Sequence, residues 1–175
     1  LDFVPKLNCL VGMKGEGKTN VLDAIHFLSL AKSATTSMDS QAIMHGQDLM
    51  ALEGNYEHED GTPECIHCGL KRGQKKVLRR GKKAYRRLAE HIGLRPIVTV
   101  SPVDQWLIAG GSEERRRFMD IIISQYNPVY LDALTRYNKA LQQRNALLKQ
   151  EEEPDDDLLA LLEEEMARVG TYIYG

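Results

Sequence analysis

Residues 12 to 19 read Gly-Met-Lys-Gly-Glu-Gly-Lys-Thr, and this octet narrows what the chain can fold into more than any other stretch. It fits G-x-x-x-x-G-K-[ST] at every fixed position. Before it, Leu7-Asn8-Cys9-Leu10-Val11 is a short apolar run suited to a buried strand. After it, Asn20 to Lys32 carries Val21, Leu22, Ile25 and Leu28 at a helical period. A strand, a glycine turn and a helix present unpaired backbone N–H groups and the positive dipole end to an anion. Gly12, Gly15 and Gly17 let the backbone curl around phosphate without a Cβ in the way. In such a loop Lys18 reaches the β- and γ-phosphates of a nucleotide, and the Thr19 hydroxyl ligates Mg2+. The expected nucleotide-binding residues are therefore Gly12, Met13, Lys14, Gly15, Glu16, Gly17, Lys18, Thr19 and Asn20.

At 175 residues the chain can bury one ordinary core, or one core with a helical appendage. A hydrophobic content of 42% with 27% charged residues is that of a soluble globular protein. No apolar stretch approaches the roughly 18 residues of a membrane span, and no signal peptide opens the chain. Three cysteines without framework spacing suit a reducing cytoplasm. The first residue is Leu1, and the chain starts just before the phosphate-loop strand, so a piece of a larger protein is expected.

The net charge of −2 conceals segregation. From Lys71 to Arg87 there are ten basic residues and no acid; from Glu151 to Glu165 there are nine acids and no base. Clustered Lys and Arg neutralise nucleic-acid phosphates. Lys71, Arg72, Lys75, Lys76, Arg79, Arg80, Lys82 and Lys83 are accordingly the expected DNA contacts, on an exposed hairpin punctuated by Gly73 and Gly81. The plainer reading is a solvated sheet edge kept soluble by lysine. Tyr85 is the only aromatic of the run, so base readout is not suggested. Glu151 to Asp157 reads as a solvated linker extended by like charges.

Further along, 49–56 and 64–71 read as strands joined at Asp60-Gly61. In the second, Cys65, His67 and Gly69 fall on one face, with Ile66, Cys68 and Leu70 on the other. That alternation argues against zinc at Cys65-x-x-Cys68 with His67 and His58, because the cysteines diverge. A short helix is expected over 86–93, closed by glycine. The β-branched run 95–101 predicts a buried central strand. From Pro102 the character turns helical. Gly110-Gly111 breaks the chain, and Ser112 caps a helix with an apolar stripe of Phe118, Ile121 and Ile122. Asn127-Pro128 opens a long helix to about Lys149 bearing Tyr130, Leu134, Tyr137 and Leu141, and a last helix follows from Asp155. Arg115-Arg116-Arg117 fan around one helix, where joining the lobes is the majority reading and an Arg117–Asp120 pair is expected. Asp104 reads first as a carboxylate at a helix N-terminus, with a role beside Mg2+ or the γ-phosphate as the alternative.

Three blocks together resemble the RecF family of DNA replication and repair ATPases. The first is Gly12 to Asn20 with Leu22-Asp23-Ala24-Ile25. The second is Ser101-Pro102-x-Asp104 followed by Ile108-Ala109-Gly110-Gly111-Ser112-x-x-Arg115-Arg116-Arg117-Phe118-Met119-Asp120. The third is Tyr130-Leu131-x-Ala133-Leu134-x-Arg136-Tyr137-Asn138-Lys139-Ala140-Leu141-x-x-Arg144-Asn145. They stand in the family's order and cover nearly the whole chain.

The resemblance implies an α/β fold: a P-loop NTPase lobe of the SMC/ABC type with a mixed sheet over 1–110, then the beginning of an all-helical second lobe over 111–175. It also implies ATP and Mg2+ as ligands and ATP-dependent self-association. Binding to single- and double-stranded DNA near gaps, RecO and RecR as partners, and roles in recombinational repair and the SOS response follow from it too. The family usually has Asn where this chain has Lys14. The strands preceding the phosphate loop, the signature motif and the Walker B acids are not in these residues. Weak nucleotide binding without hydrolysis is therefore expected, with no catalytic residue assigned. The competing readings are another SMC/ABC-type ATPase, and a nucleotide-gated assembly module without catalysis.

Overall fold

The computed structural model describes residues 1–150 and 155–175. Residues 151–154 of the acidic linker lie outside the described set. The chain divides into two compact units, Leu1–His91 and Ile92–Gly175.

In the first unit, helix α1 (Lys18–Leu30) precedes four strands, β1 (Leu49–Glu57), β2 (Pro63–Lys71), β3 (Val77–Arg80) and β4 (Lys83–Ala84). The strands form one sheet in sequential order, antiparallel at every step. The first turn is made by Asp60-Gly61: Gly61 takes φ 80°, and the Asp60 carboxylate accepts from the Thr62 N–H at 2.9 Å. Period-two alternation then decides the faces. Ile66, Cys68 and Leu70 of β2 and Leu78 of β3 are buried against Phe27, Leu28 and Ala31, while Met50, Leu52 and Tyr56 of β1 pack at the margin. His91 closes the core from below: Nε2 lies 2.6 Å from the Leu28 carbonyl and Nδ1 3.3 Å from the Tyr85 hydroxyl.

Helix α1 buries its last turns, His26 to Leu30, rather than its first, and Leu22 of the expected stripe is exposed. Ala31 ends it in a left-handed conformation, with its N–H on the Phe27 carbonyl. Two expected strands do not form. Residues 7–11 and 95–101 belong to no sheet, and Val11 and Val100 are 87% and 84% exposed. β-branched composition supplies propensity, but a strand exists only through a ladder, and neither run has a neighbouring strand among the described residues. The sheet is consequently antiparallel throughout rather than mixed, within an α/β chain. The helix expected over 86–93 shrinks to a single 3-10 turn, Leu88–Glu90.

The second unit holds the short helix α2 (Trp106–Ala109), α3 (Ser112–Tyr126), α4 (Pro128–Leu147) and α5 (Asp156–Tyr174). Gln125 of α3 is buried and stands in for a strand neighbour at Ile97. Its Oε1 accepts from the Ile97 N–H at 2.7 Å, and its Nε2 donates to the Ile97 carbonyl at 3.2 Å. The Asn127 side chain caps α4 by accepting from Val129 and Tyr130, with Pro128 at the first helical position. Helices α4 and α5 pack on each other, and Tyr130, Ala133, Tyr137 and Ala140 of α4 and Leu162, Met166, Val169 and Ile173 of α5 are buried or half-buried at the spacings of three and four of a coiled-coil seam. Arg144–Glu163 at 2.8 Å and Arg136–Glu165 at 2.5 Å flank it. No described helix is long and apolar enough to cross a membrane.

Candidate nucleotide loop and basic strands

Gly15 and Gly17 adopt φ of 93° and 84°, the left-handed region that only glycine enters cheaply. Gly17 directly precedes α1, so the loop ends on a helix N-terminus, and the Val21 N–H returns to the Gly17 carbonyl at 3.1 Å. Among the described residues no side chain caps this terminus, which leaves its first N–H groups available to an anion.

Two side chains of the loop use its own backbone. The Lys18 ammonium donates to the Gly12 and Met13 carbonyls at 2.8 and 2.6 Å, holding the charge over the loop. The Glu16 carboxylate accepts from the Met13 N–H at 2.8 Å. A Cβ at Gly12 would lie 2.1 Å from that carboxylate, so glycine there makes room for Glu16. Met13, Lys14, Gly15, Thr19 and Asn20 are exposed, and Thr19 is the second residue of α1.

The eight basic residues divide sharply. Arg72 spans the loop before β1, donating to the carbonyls of Gln47, Ser40 and Ile43 at 2.9, 3.2 and 3.5 Å. Lys76, its side chain 12% exposed, pairs with Asp39 at 2.7 Å, donates to the Ala31 carbonyl and sits 5.1 Å above the Phe27 ring. Arg80 donates to Glu64, whose carboxylate also lies 3.5 Å from His58. These three are spent inside the unit. Lys71, Lys75, Arg79, Lys82 and Lys83 are exposed, and among the described residues their side chains have no hydrogen-bond or ion-pair partner. A cavity of about 540 Å3 beside the β2–β3 turn is lined by Lys71, Lys75 and Arg86 together with Leu70, Val77 and Tyr85.

Asp104 accepts from the Ser101 N–H, the capping role. Asp120 is taken by the Tyr130 hydroxyl at 2.5 Å rather than by Arg117, and burial with that bond pushes the phenol up to about 12. Arg115 donates to the Gly110 carbonyl at 3.2 Å, and Arg116 and Arg117 face solvent. Cys65 and Cys68 do lie on opposite faces. Burial lifts the Cys68 thiol to about 11; burial and the Glu53 carboxylate raise that of Cys65. Glu53, absent from the sequence reading, stands directly across from His67 on the outer face of the sheet.

No family model matches the chain. A curated relative, "DNA replication and repair protein RecF" of Bacteroides fragilis, is 57% identical over 174 residues, which are 99% of this chain and 47% of that protein. The protein of the same name from Bacteroides thetaiotaomicron is 55% identical over the same span. The chain spans about half the length of the curated relatives it matches. Among solved structures, the recombination mediator protein RecF with ATP, in the RecFOR pathway, superposes with a TM-score of 0.90 at 31% identity. That match covers 99% of this chain and 47% of the other. RecF with ATPrS gives 0.83 at 32% identity, covering 93% and 44%.

Proposed function

This chain belongs to the RecF family, and we propose that it binds ATP with Mg2+ at Gly12–Asn20 and DNA along the free cations of its basic strands. The whole protein would act in recombinational repair and replication. The observation that carries the nucleotide reading is an uncapped helix N-terminus entered through two left-handed glycines, with a lysine ammonium already suspended over the loop. The relatives named RecF, one of them solved with ATP, support it.

In this reading Lys18 leaves the Gly12 and Met13 carbonyls for the β- and γ-phosphate oxygens, and the first N–H groups of α1 hold the remaining oxygens. Thr19 fits the metal-ligand role, because its hydroxyl is exposed one residue into α1. A Mg2+ ion held by that hydroxyl would supply charge neutralisation to the phosphates. Lys14, where Asn is usual, extends from the exposed rim of the loop and adds a cation near the same phosphates. Lys71, Lys75, Arg79, Lys82 and Lys83 would follow the phosphates of single- or double-stranded DNA, a sequence-independent contact. ATP-dependent self-association, RecO and RecR as partners, a part in the SOS response and a cytoplasmic location complete the proposal; the RecFOR pathway of the solved relatives supports the partnership.

The test is a titration of fluorescent ATP with Mg2+ against wild type and Lys18→Ala. Loss of one charge-assisted contact is expected to weaken binding about 10- to 100-fold. Equal affinities would remove the loop from the nucleotide site.

A further inference from the structure

We propose that Glu53, Cys65 and His67 form a binding site for one zinc-class divalent ion on the outer face of the β1–β2 hairpin. Their ligand atoms, a carboxylate oxygen, the thiol sulfur and an imidazole nitrogen, all lie within 4.8 Å of one another. A tetrahedral zinc with bonds of about 2.0–2.3 Å sets its ligand atoms roughly 3.3–3.7 Å apart. Small side-chain rotations therefore close the set, and no backbone needs to move. His67 Nδ1 and Glu53 Oε2 are already 3.1 Å apart.

The scaffold is rigid where the ligands stand. Glu53 pairs with His67 in the middle of a nine-residue antiparallel ladder, and Cys65 precedes His67 by two residues along β2, on the same face. Asn55, paired with Cys65 in the ladder, donates to Glu53 Oε1 at 3.3 Å. That bond leaves Oε2 directed at His67, the orienting role that outer-shell groups play around metals. A thiolate, an imidazole and a carboxylate select zinc-like ions over Mg2+ or Ca2+, and the two anions neutralise a divalent charge. Half-exposed His67 and Glu53 leave a fourth position to water. Cys68 cannot contribute, being buried on the opposite face. Arg79 stands across from His67 on β3 and opposes a cation, so the affinity is limited by it.

The experiment is a Co2+ titration of the chain carrying Cys9→Ser, read by thiolate-to-cobalt charge-transfer and ligand-field absorption, followed by displacement with Zn2+. One equivalent should bind in tetrahedral geometry. Cys65→Ser should abolish the charge-transfer band, while Glu53→Gln and His67→Gln should weaken binding at least about tenfold and Asn55→Ala about tenfold. Arg79→Ala should tighten it. A zinc-loaded wild-type sample examined by X-ray absorption needs no variant to fold and should show one sulfur scatterer. No charge-transfer band at equimolar Co2+, a band that survives Cys65→Ser, or zinc without sulfur would each overturn the site.

Discussion

The phosphate loop and the basic strands both concentrate positive charge, but they hold it differently. At the loop, one lysine leans on two backbone carbonyls that an anion can replace without disturbing any packing. On the strands, eight cations that look equivalent in the sequence divide into two kinds. Arg72, Lys76 and Arg80 are tied to carbonyls, carboxylates and a ring, whereas Lys71, Lys75, Arg79, Lys82 and Lys83 project into solvent. Charge density alone therefore overstates what the strands can offer to DNA. Partner geometry decides which cations are available and which hold the fold together.

Changing Lys71, Lys75, Lys82 and Lys83 together to Gln puts that division under the greatest strain. Each lost phosphate contact should remove about 0.9 from the slope of log affinity against log salt on duplex DNA, so the four should remove up to about 3.6. Fluorescence anisotropy across a salt series reads this directly. An unchanged slope would show that the free cations are solvated surface and nothing more. Folding should be little altered, since exposed substitutions away from packing typically move stability by less than about 0.5 kcal/mol each.

The converse effect is smaller. Lys76→Ala removes an ion pair at 2.7 Å, a backbone bond and a cation over Phe27. Asp39 is partly exposed, so solvent already screens the pair. A stability loss of about 2 kcal/mol is expected, mainly from the largely covered ammonium and ring. Lys75→Ala, one residue away and exposed, should stay within about 0.5 kcal/mol. Urea midpoints at constant m-value separate the two. Equal midpoints would erase the distinction between anchored and free cations.

Much of this is legible in the sequence alone. Gly15, Gly17 and Gly61 all take positive φ, as their motif or turn demands. Alternation assigned the faces of β2 correctly, and Asn127-Pro128 marked the start of α4. Failures fall where local composition needs a distant partner. Residues 7–11 and 95–101 have strand composition, but the ladder is missing and Gln125 satisfies Ile97 instead. The fates of Arg72, Lys76 and Arg80 depend on carbonyls and carboxylates brought up by other elements. Glu53 was within reach: once Asp60-Gly61 fixes the turn, the register carries Glu53 opposite His67. Reading the strands singly hid the pair.

The subtlest effect concerns the loop's own anion. The Glu16 carboxylate occupies the Met13 N–H at 2.8 Å, beside the space where phosphate oxygens would lie. In Glu16→Gln the side-chain carbonyl can still accept that bond, while the negative charge is gone. Since the loop is exposed, the relief of repulsion is screened and on the order of 1 kcal/mol, or about fivefold tighter ATP binding. The gain should shrink as salt is raised, because the interaction is between solvent-facing charges. Titrating fluorescent ATP at two ionic strengths would measure it. Weaker binding by the variant would mean that Glu16 supports the nucleotide-bound loop, and that its contact with Met13 is structure rather than competition.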